Sequence, residues 1–235
     1  MDDNLNFVQF GEGHDVVFLH GWGGSIASFQ GIAEYLKGGF RVTLLDFYGF
    51  GGTPESKRPL TLSDYAECVV SLMNKLGIPS AHFVCHSFGG RVGIRLAFSY
   101  PHLVDKLVLI DSAGIKPRRG IRYYCKIIIH KVLKRFGRGL SGSSDYRALS
   151  PVMKQTFKNI VNCDQSREAA KVRSETAIFW GKNDEITKSY MARKLKRKIK
   201  KSALFYLEGG HFAYLTDTKF PLILKAFLEA KWLSY

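Results

Sequence analysis

The sequence predicts an α/β protein: a mainly parallel, twisted sheet flanked by helices. Short apolar runs alternate with stretches of helical period over most of the chain, and that order builds crossover connections between parallel neighbours. An apolar run from Ala81 to Cys85 passes through a tight turn at Ser87 into a helical stretch, Arg91 to Ser99. The 235 residues suffice for a large core and suit a single α/β domain.

Leu5 to Phe10 reads as a short edge strand, and Gly11 to Asp15 as the turn into a second strand, Val16 to Leu19. A helix from about Ser25 to Leu36 precedes a strand from Phe40 to Phe47. Leu60 to Leu76 forms the next helix, opened by a Thr/Ser cap region and closed by Gly77, and leads to the Ala81 strand. Lys106 to Ile110 is a further strand, ending in Asp111-Ser112-Ala113-Gly114.

Between Gly114 and Arg173 the alternation gives way to helical pattern. Gly120 to Phe136 repeats apolar residues near a helical period, Gly137 to Ser144 is a glycine- and serine-rich break, and Ser150-Pro151 starts another helix with serine as cap and proline at the first position. The strands resume with Thr176 to Trp180 and Ala203 to Leu207. Between these two, Tyr190, Met191, Leu195 and Ile199 form the apolar stripe of a helix. A final helix, roughly Thr218 to Trp232, is expected to pack Leu222, Phe227 and Leu228 on the sheet.

Ser87 lies in Cys85-His86-Ser87-Phe88-Gly89-Gly90. A turn of this kind strains the backbone of its central residue, and the residues two before and two after must be small so that strand and helix can pass closely. Gly89 meets this demand, and Cys85 brings a short side chain to the other position. Hydrolytic use of a serine also requires a histidine base, an acid to orient it and amide donors for the oxyanion. His211, in Glu208-Gly209-Gly210-His211-Phe212 after the last strand, is the candidate base. Asp184, in Gly181-Lys182-Asn183-Asp184 after the Thr176 strand, is the candidate acid, with Asp111 as its rival. The structural alternatives are an N-cap serine, a hydrogen-bonded core histidine and a loop-capping carboxylate. A fourth motif, His20-Gly21-Trp22-Gly23-Gly24, closes the Val16 strand.

These motifs, each closing an expected strand in the chain order Ser87, Asp184, His211, resemble the α/β-hydrolase fold superfamily over nearly the whole chain. The Asp46-Phe47-Tyr48-Gly49-Phe50-Gly51 turn is similar to another landmark of that family. The resemblance implies an α/β-hydrolase core, residues 1–114 and 173–235, with a small helical cap, residues 115–172, over the site. It implies a catalytic triad of Ser87, Asp184 and His211, and an oxyanion hole made by the backbone amides of Trp22 and Phe88. His20, His86 and Phe212, beside these, are candidates for the substrate pocket. The implied chemistry calls for neither metal nor organic cofactor.

The N-terminus carries no basic region followed by an apolar core, and no run approaches the roughly 18 apolar residues that span a membrane, so a cytoplasmic protein without a transmembrane segment is expected. Cys68, Cys85, Cys125 and Cys163 lack paired spacing, which speaks for free thiols and supports neither a disulfide framework nor a zinc site. Fourteen Lys or Arg stand against three Asp or Glu from Ile115 to Val172, and eight basic residues against no acid from Lys188 to Lys201; the rest of this chain of net charge +15 sums to about −4. For the second segment the wet face of a packed helix accounts for the charge. For the cap, an acidic partner, an anionic substrate or an anionic surface would use it. Nucleic acid fits the sign of the charge alone, because no reading motif accompanies it.

A serine nucleophile sets the chain apart from the carbon–halogen and epoxide hydrolases of the family, which use a carboxylate. The basic cap argues against peptidases that present acidic groups to a substrate amine. The His-Gly-Trp-Gly opening and the basic cap are similar to small carboxylesterases whose ester is carried on acyl carrier protein, an acidic partner. The reading is therefore a carboxylesterase for small or medium acyl esters, working through an acyl-enzyme. The alternatives are a carbon–carbon bond hydrolase of the same family and a ligand-binding receptor on the same fold.

Overall fold

The structure is a computed structural model and describes residues 5–116 and 148–230. Among them, β1 (Phe7–Phe10), β2 (His14–Leu19), β3 (Phe40–Leu45), β4 (Ala81–His86), β5 (Val104–Ile110), β6 (Glu175–Gly181) and β7 (Ser202–Leu207) form one sheet in the order β1-β3-β2-β4-β5-β6-β7. β1 runs antiparallel to β3, and all other neighbours are parallel. The C-terminal ends of β2, β4, β5, β6 and β7 therefore open onto a single edge, where the loops after them meet.

Helices cover both faces, which is why β4 is buried along its whole length. α2 (Leu62–Lys75), α3 (Phe88–Ser99) and α6 (Ser189–Lys198) pack on one face; α1 (Gln30–Leu36) and α7 (Phe220–Glu229) pack on the other. α4 (Pro151–Val161) and the short α5 (Ser166–Ala169) precede β6. α2 starts with a reciprocal cap: Thr61 Oγ1 accepts from the Asp64 amide at 3.3 Å and Asp64 Oδ2 accepts from the Thr61 amide at 2.6 Å. α4 begins at the expected Ser150-Pro151, with Ser150 Oγ accepting from the Met153 amide at 3.0 Å.

The strands follow the expected apolar runs, with β2 starting at His14 and β5 at Val104. The helix expected from Ser25 is split, a 3-10 turn at Ile26–Phe29 leading into α1. α7 corrects the expected packing. Leu222 is 61% exposed, and the buried stripe is Phe220, Leu224 and Leu228. At 3.6 residues per turn, Leu222 points about 200° away from Phe220. The expected helix Gly120 to Phe136, the break Gly137 to Ser144, Cys125 and Trp232 lie outside the described residues. Cys68, Cys85 and Cys163 are free thiols, and among the described residues no helix is long and apolar enough to cross a membrane.

One tie links the centre of the sheet to the end of α7. The Lys106 ammonium on β5 is buried and donates to the carbonyls of Phe227 at 2.6 Å and Leu228 at 3.2 Å, and to that of Ala230. It satisfies carbonyls that helix ends otherwise leave to a glycine cap or to water.

Candidate active site

Ser87 is the N-cap of α3, with φ 49° and ψ −106°. A left-handed backbone at a residue bearing a side chain costs on the order of 1–3 kcal/mol and persists where its surroundings fix it. Here the Ser87 amide donates to the Ile110 carbonyl at 3.0 Å, and the Ser87 carbonyl accepts from the Ala113 amide at 3.0 Å. Gly89 is required sterically, since a Cβ there would stand 2.0 Å from the Leu19 carbonyl oxygen. Cys85, at the other small position, finds its room on the helix: a Cβ at Gly93 would stand 2.6 Å from Cys85 Sγ. The close approach of strand and helix is thus met by a pair, with a thiol on β4 facing a glycine one turn beyond Gly89.

The loops after β6 and β7 bring the other candidates to this turn. His211 Nε2 lies 3.0 Å from Ser87 Oγ, and His211 Nδ1 lies 2.8 Å from Asp184 Oδ2. Burial pushes the Asp184 carboxyl up, but hydrogen bonds from His211 and Thr187 outweigh it and bring the pKa down to about 2. An ionised Asp184 can only accept, so Nδ1 of His211 donates and Nε2 is left to accept from the Ser87 hydroxyl. Asp184 Oδ1 also accepts from the amides of Ile186 at 2.7 Å and Thr187 at 2.9 Å.

Asp111 lies close by in a different state. Its Oδ1 accepts from the Gly181 amide at 2.8 Å, and its buried carboxyl meets that of Asp184. Burial raises its pKa to about 8; the Gly181 hydrogen bond opposes this and the neighbouring Asp184 charge adds to it. Near neutral pH the two carboxyls are therefore divided, Asp184 ionised and Asp111 protonated, a separation that assigns them different roles. The structure places the imidazole on Asp184.

Thr187 is a site residue that the sequence did not reveal. Its hydroxyl donates to Asp184 Oδ2 at 2.5 Å, and its carbonyl is held by Trp180 Nε1 at 2.7 Å. Arg91 is another: it is buried on α3, and its Nη1 donates to the Cys163 carbonyl at 2.8 Å, tying α3 to the segment before α5.

The loop after β2 packs against the serine turn. A Cβ at Gly21 would stand 2.8 Å from His86 Nδ1 and 3.4 Å from Ser87 Cβ. His20 anchors this loop, its Nδ1 donating to the Gly21 carbonyl at 2.7 Å and its Nε2 accepting from the Phe47 amide at 3.0 Å. Burial lowers its pKa, consistent with the neutral ring that these two bonds require. Trp22 follows, its ring edge-on to Phe88 at 5.5 Å and to Phe157 of α4 at 5.1 Å.

A cavity of about 290 Å³ opens beside Ser87, walled by Trp22, Phe88, Ile115, Phe157, Ile160 and Met191 among others. His20, His86 and Phe212, the sequence candidates for this pocket, are not among its lining residues. His20 is buried under the loop that it anchors. His86 is also buried; its Nε2 donates to the His211 carbonyl at 2.9 Å, and burial lowers its pKa to about 3. It therefore fixes the backbone of His211. Phe212 is exposed, with its ring edge-on to His211.

Comparison with known proteins agrees with this architecture. Residues 16–124 match the alpha/beta hydrolase fold family. The chain is 28% identical over 244 residues to the AB hydrolase superfamily protein YisY of Bacillus subtilis, covering 90% of each. It is 35% identical over 126 residues to the pimeloyl-[acyl-carrier protein] methyl ester esterase of Vibrio campbellii, 52% of this chain and 48% of that one, so the match spans about half of that relative's length. The enol-lactonase of Burkholderia xenovorans LB400 superposes with a TM-score of 0.78 at 19% identity, covering 96% of each chain, which establishes a shared fold. The chain is thus similar to the α/β-hydrolases, through a family match over residues 16–124 and a fold shared along nearly its whole length.

Proposed function

We propose that the protein is a serine carboxylesterase of the cytoplasm that cleaves small or medium acyl esters. The observation that carries this reading is the relay from Ser87 Oγ to His211 at 3.0 Å and from His211 to Asp184 at 2.8 Å, at the side of an apolar cavity. His211 Nε2 takes the proton of Ser87 as Oγ attacks the acyl carbon, and Asp184 holds the imidazole in the tautomer that can accept it and stabilises the cation that forms. The backbone amides of Trp22 and Phe88 donate to the developing oxyanion. His211 returns its proton to the leaving alcohol, and an acyl-enzyme remains. Water deprotonated by His211 then releases the acid and frees Ser87.

The cavity walls suit an acyl chain. Of the segment 115–172 proposed as a cap, the described helix α4 contributes Phe157 and Ile160 to the cavity wall. The basic surplus of this segment favours an ester carried by an acidic partner. Arg118, Arg119 and Arg122, which would carry part of that attraction, lie outside the described residues.

A fluorophosphonate probe together with a panel of p-nitrophenyl esters of increasing acyl length tests the reading. Labelling at Ser87 and turnover of the shorter esters are expected, with kcat lowered on the order of 10⁶ in Ser87→Ala. No labelling would leave a receptor on this fold. Labelling without ester turnover, but with cleavage of a ring-fission diketone, would move the activity to carbon–carbon bonds.

A further inference from the structure

The opposite edge of the sheet carries a second cluster of side chains with ligand chemistry. His14 opens β2, His82 stands near the start of β4 and Asp105 near the start of β5, on three strands that are neighbours in the sheet. The register pairs Val16 with His82, so His14, two positions before Val16, lies on the same face as His82. The β4–β5 register shifts between Ala81 and Phe83, which brings Asp105 beside His82.

The side chains converge. His14 Nε2 is 2.9 Å from Asp105 Oδ2, the two imidazole rings are 4.2 Å apart between centroids, and one donor atom from each of the three residues lies within 4.8 Å of the others. His82 is only 7% exposed, and its Nδ1 is buried with no hydrogen-bond partner. The rest of the His82 ring is held by the backbone at Leu228, and the Ser80 hydroxyl steadies Asp105 at 2.8 Å. Such outer contacts orient the ligands of a metal.

We propose that His14 Nε2, His82 Nδ1 and the Asp105 carboxylate form a binding site for a divalent cation of the zinc type. Two imidazoles and one carboxylate are a borderline donor set that suits zinc and not magnesium. Tetrahedral bonds of about 2.0–2.2 Å set ligands roughly 3.3 Å apart. The 2.9 Å pair must open slightly, and the third donor must draw in. His14 and Asp105, with side chains 47% and 35% exposed, are free to make both adjustments around a fixed His82. The cation takes the place of the proton shared between His14 and Asp105, and solvent reaches the remaining corner. The Lys106 ammonium lies near His82 and opposes a second cation, which weakens the site. The site is separate from the hydrolytic one, since His82 and Ser87 are five residues apart along β4, about 16 Å.

Isothermal titration of the full chain with zinc chloride tests this, beside magnesium chloride and the variants His14→Ala, Asp105→Ala and His211→Ala. One zinc per chain is expected in the wild type and in His211→Ala, at least tenfold weaker binding in His14→Ala and Asp105→Ala, and no heat with magnesium. Free zinc at ten times Kd should raise the wild-type Tm by roughly 3–6 °C and leave His14→Ala unmoved. Esterase activity of His14→Ala should match the wild type. Equal zinc affinity in wild type and His14→Ala, loss of binding only in His211→Ala, or no zinc binding by the wild type would each overturn the proposal.

Discussion

Replacing Asp184 by asparagine isolates what the carboxylate does for the imidazole. Asp184 Oδ1 accepts from two backbone amides, at 2.7 Å and 2.9 Å, and these hold the carboxamide oxygen of the variant in the same place. The new amino group then faces His211 Nδ1. It can only donate, so Nδ1 must accept and the ring proton moves to Nε2, where it points at Ser87 Oγ. A ring in that tautomer cannot take the serine proton. In a serine triad this error lowers kcat by about 10⁴, or roughly 5 kcal/mol of transition-state stabilisation. The fold should survive, because the two residues are nearly isosteric and the Thr187 hydroxyl can turn to the Asp111 carbonyl, 3.1 Å away. In Asp111→Asn, by contrast, an amide replaces a carboxyl that is already protonated, and kcat should stay close to wild type. Steady-state kinetics on p-nitrophenyl butyrate, with circular dichroism to verify folding, decides the matter. An Asp184→Asn enzyme within about tenfold of wild type, or an Asp111→Asn enzyme more impaired than Asp184→Asn, would refute the reasoning.

Other expectations follow from the same site. Gly23 has φ 77° and open space around its Cβ position, so Gly23→Val should strain the Trp22 loop without a clash; kcat should drop about 10²–10³ with the fold intact, and a normal kcat would remove the loop from the oxyanion hole. Gly93→Ala would press a methyl group against Cys85 Sγ at 2.6 Å, an overpacking worth about 1–3 kcal/mol by urea unfolding. Adding Cys85→Gly should recover part of that loss, and strict additivity of the two changes would contradict the pairing. Asp111, raised to about 8 from an ordinary value near 3.9, contributes stability that is full below the ordinary value and is lost as pH rises through 8. The urea midpoint of the wild type should therefore fall between pH 4 and pH 8 relative to Asp111→Asn; parallel profiles would mean that Asp111 titrates normally.

The strand ends were legible because buried parallel strands are written as unbroken apolar runs that stop at glycine-rich turns. Ser87, Asp184 and His211 each follow such a run, so their convergence could be read from chain order. What was not legible depends on how loops fold back. Thr187 belongs to no periodic pattern, and it meets Asp184 only because Trp180 pins its carbonyl. Gly93 has the look of an ordinary helical glycine until the Cys85 thiol is seen against it. His20 and His86 were rightly placed beside the serine by adjacency, but adjacency says nothing about which way a ring faces, and both turn inward to backbone partners. Leu222 faces solvent although it is apolar, because the side a residue takes on an amphipathic helix depends on where the helix starts, which the sequence leaves open. His14, His82 and Asp105 are scattered in sequence and meet only through the strand order β2-β4-β5.

The Lys106 tie gives α7 an end that is not its own. Its last carbonyls are satisfied by an ammonium 121 to 124 residues earlier in the chain, on a strand in the middle of the sheet. The final turn of α7 is therefore completed only after β5 has taken its place, and the long loop between them must close before the contact stabilises anything. The C-terminal turn thus acts as a latch fastened late in folding. Slow amide exchange at Leu228 and Ala230 then reports on the integrity of the central sheet more than on local helix stability.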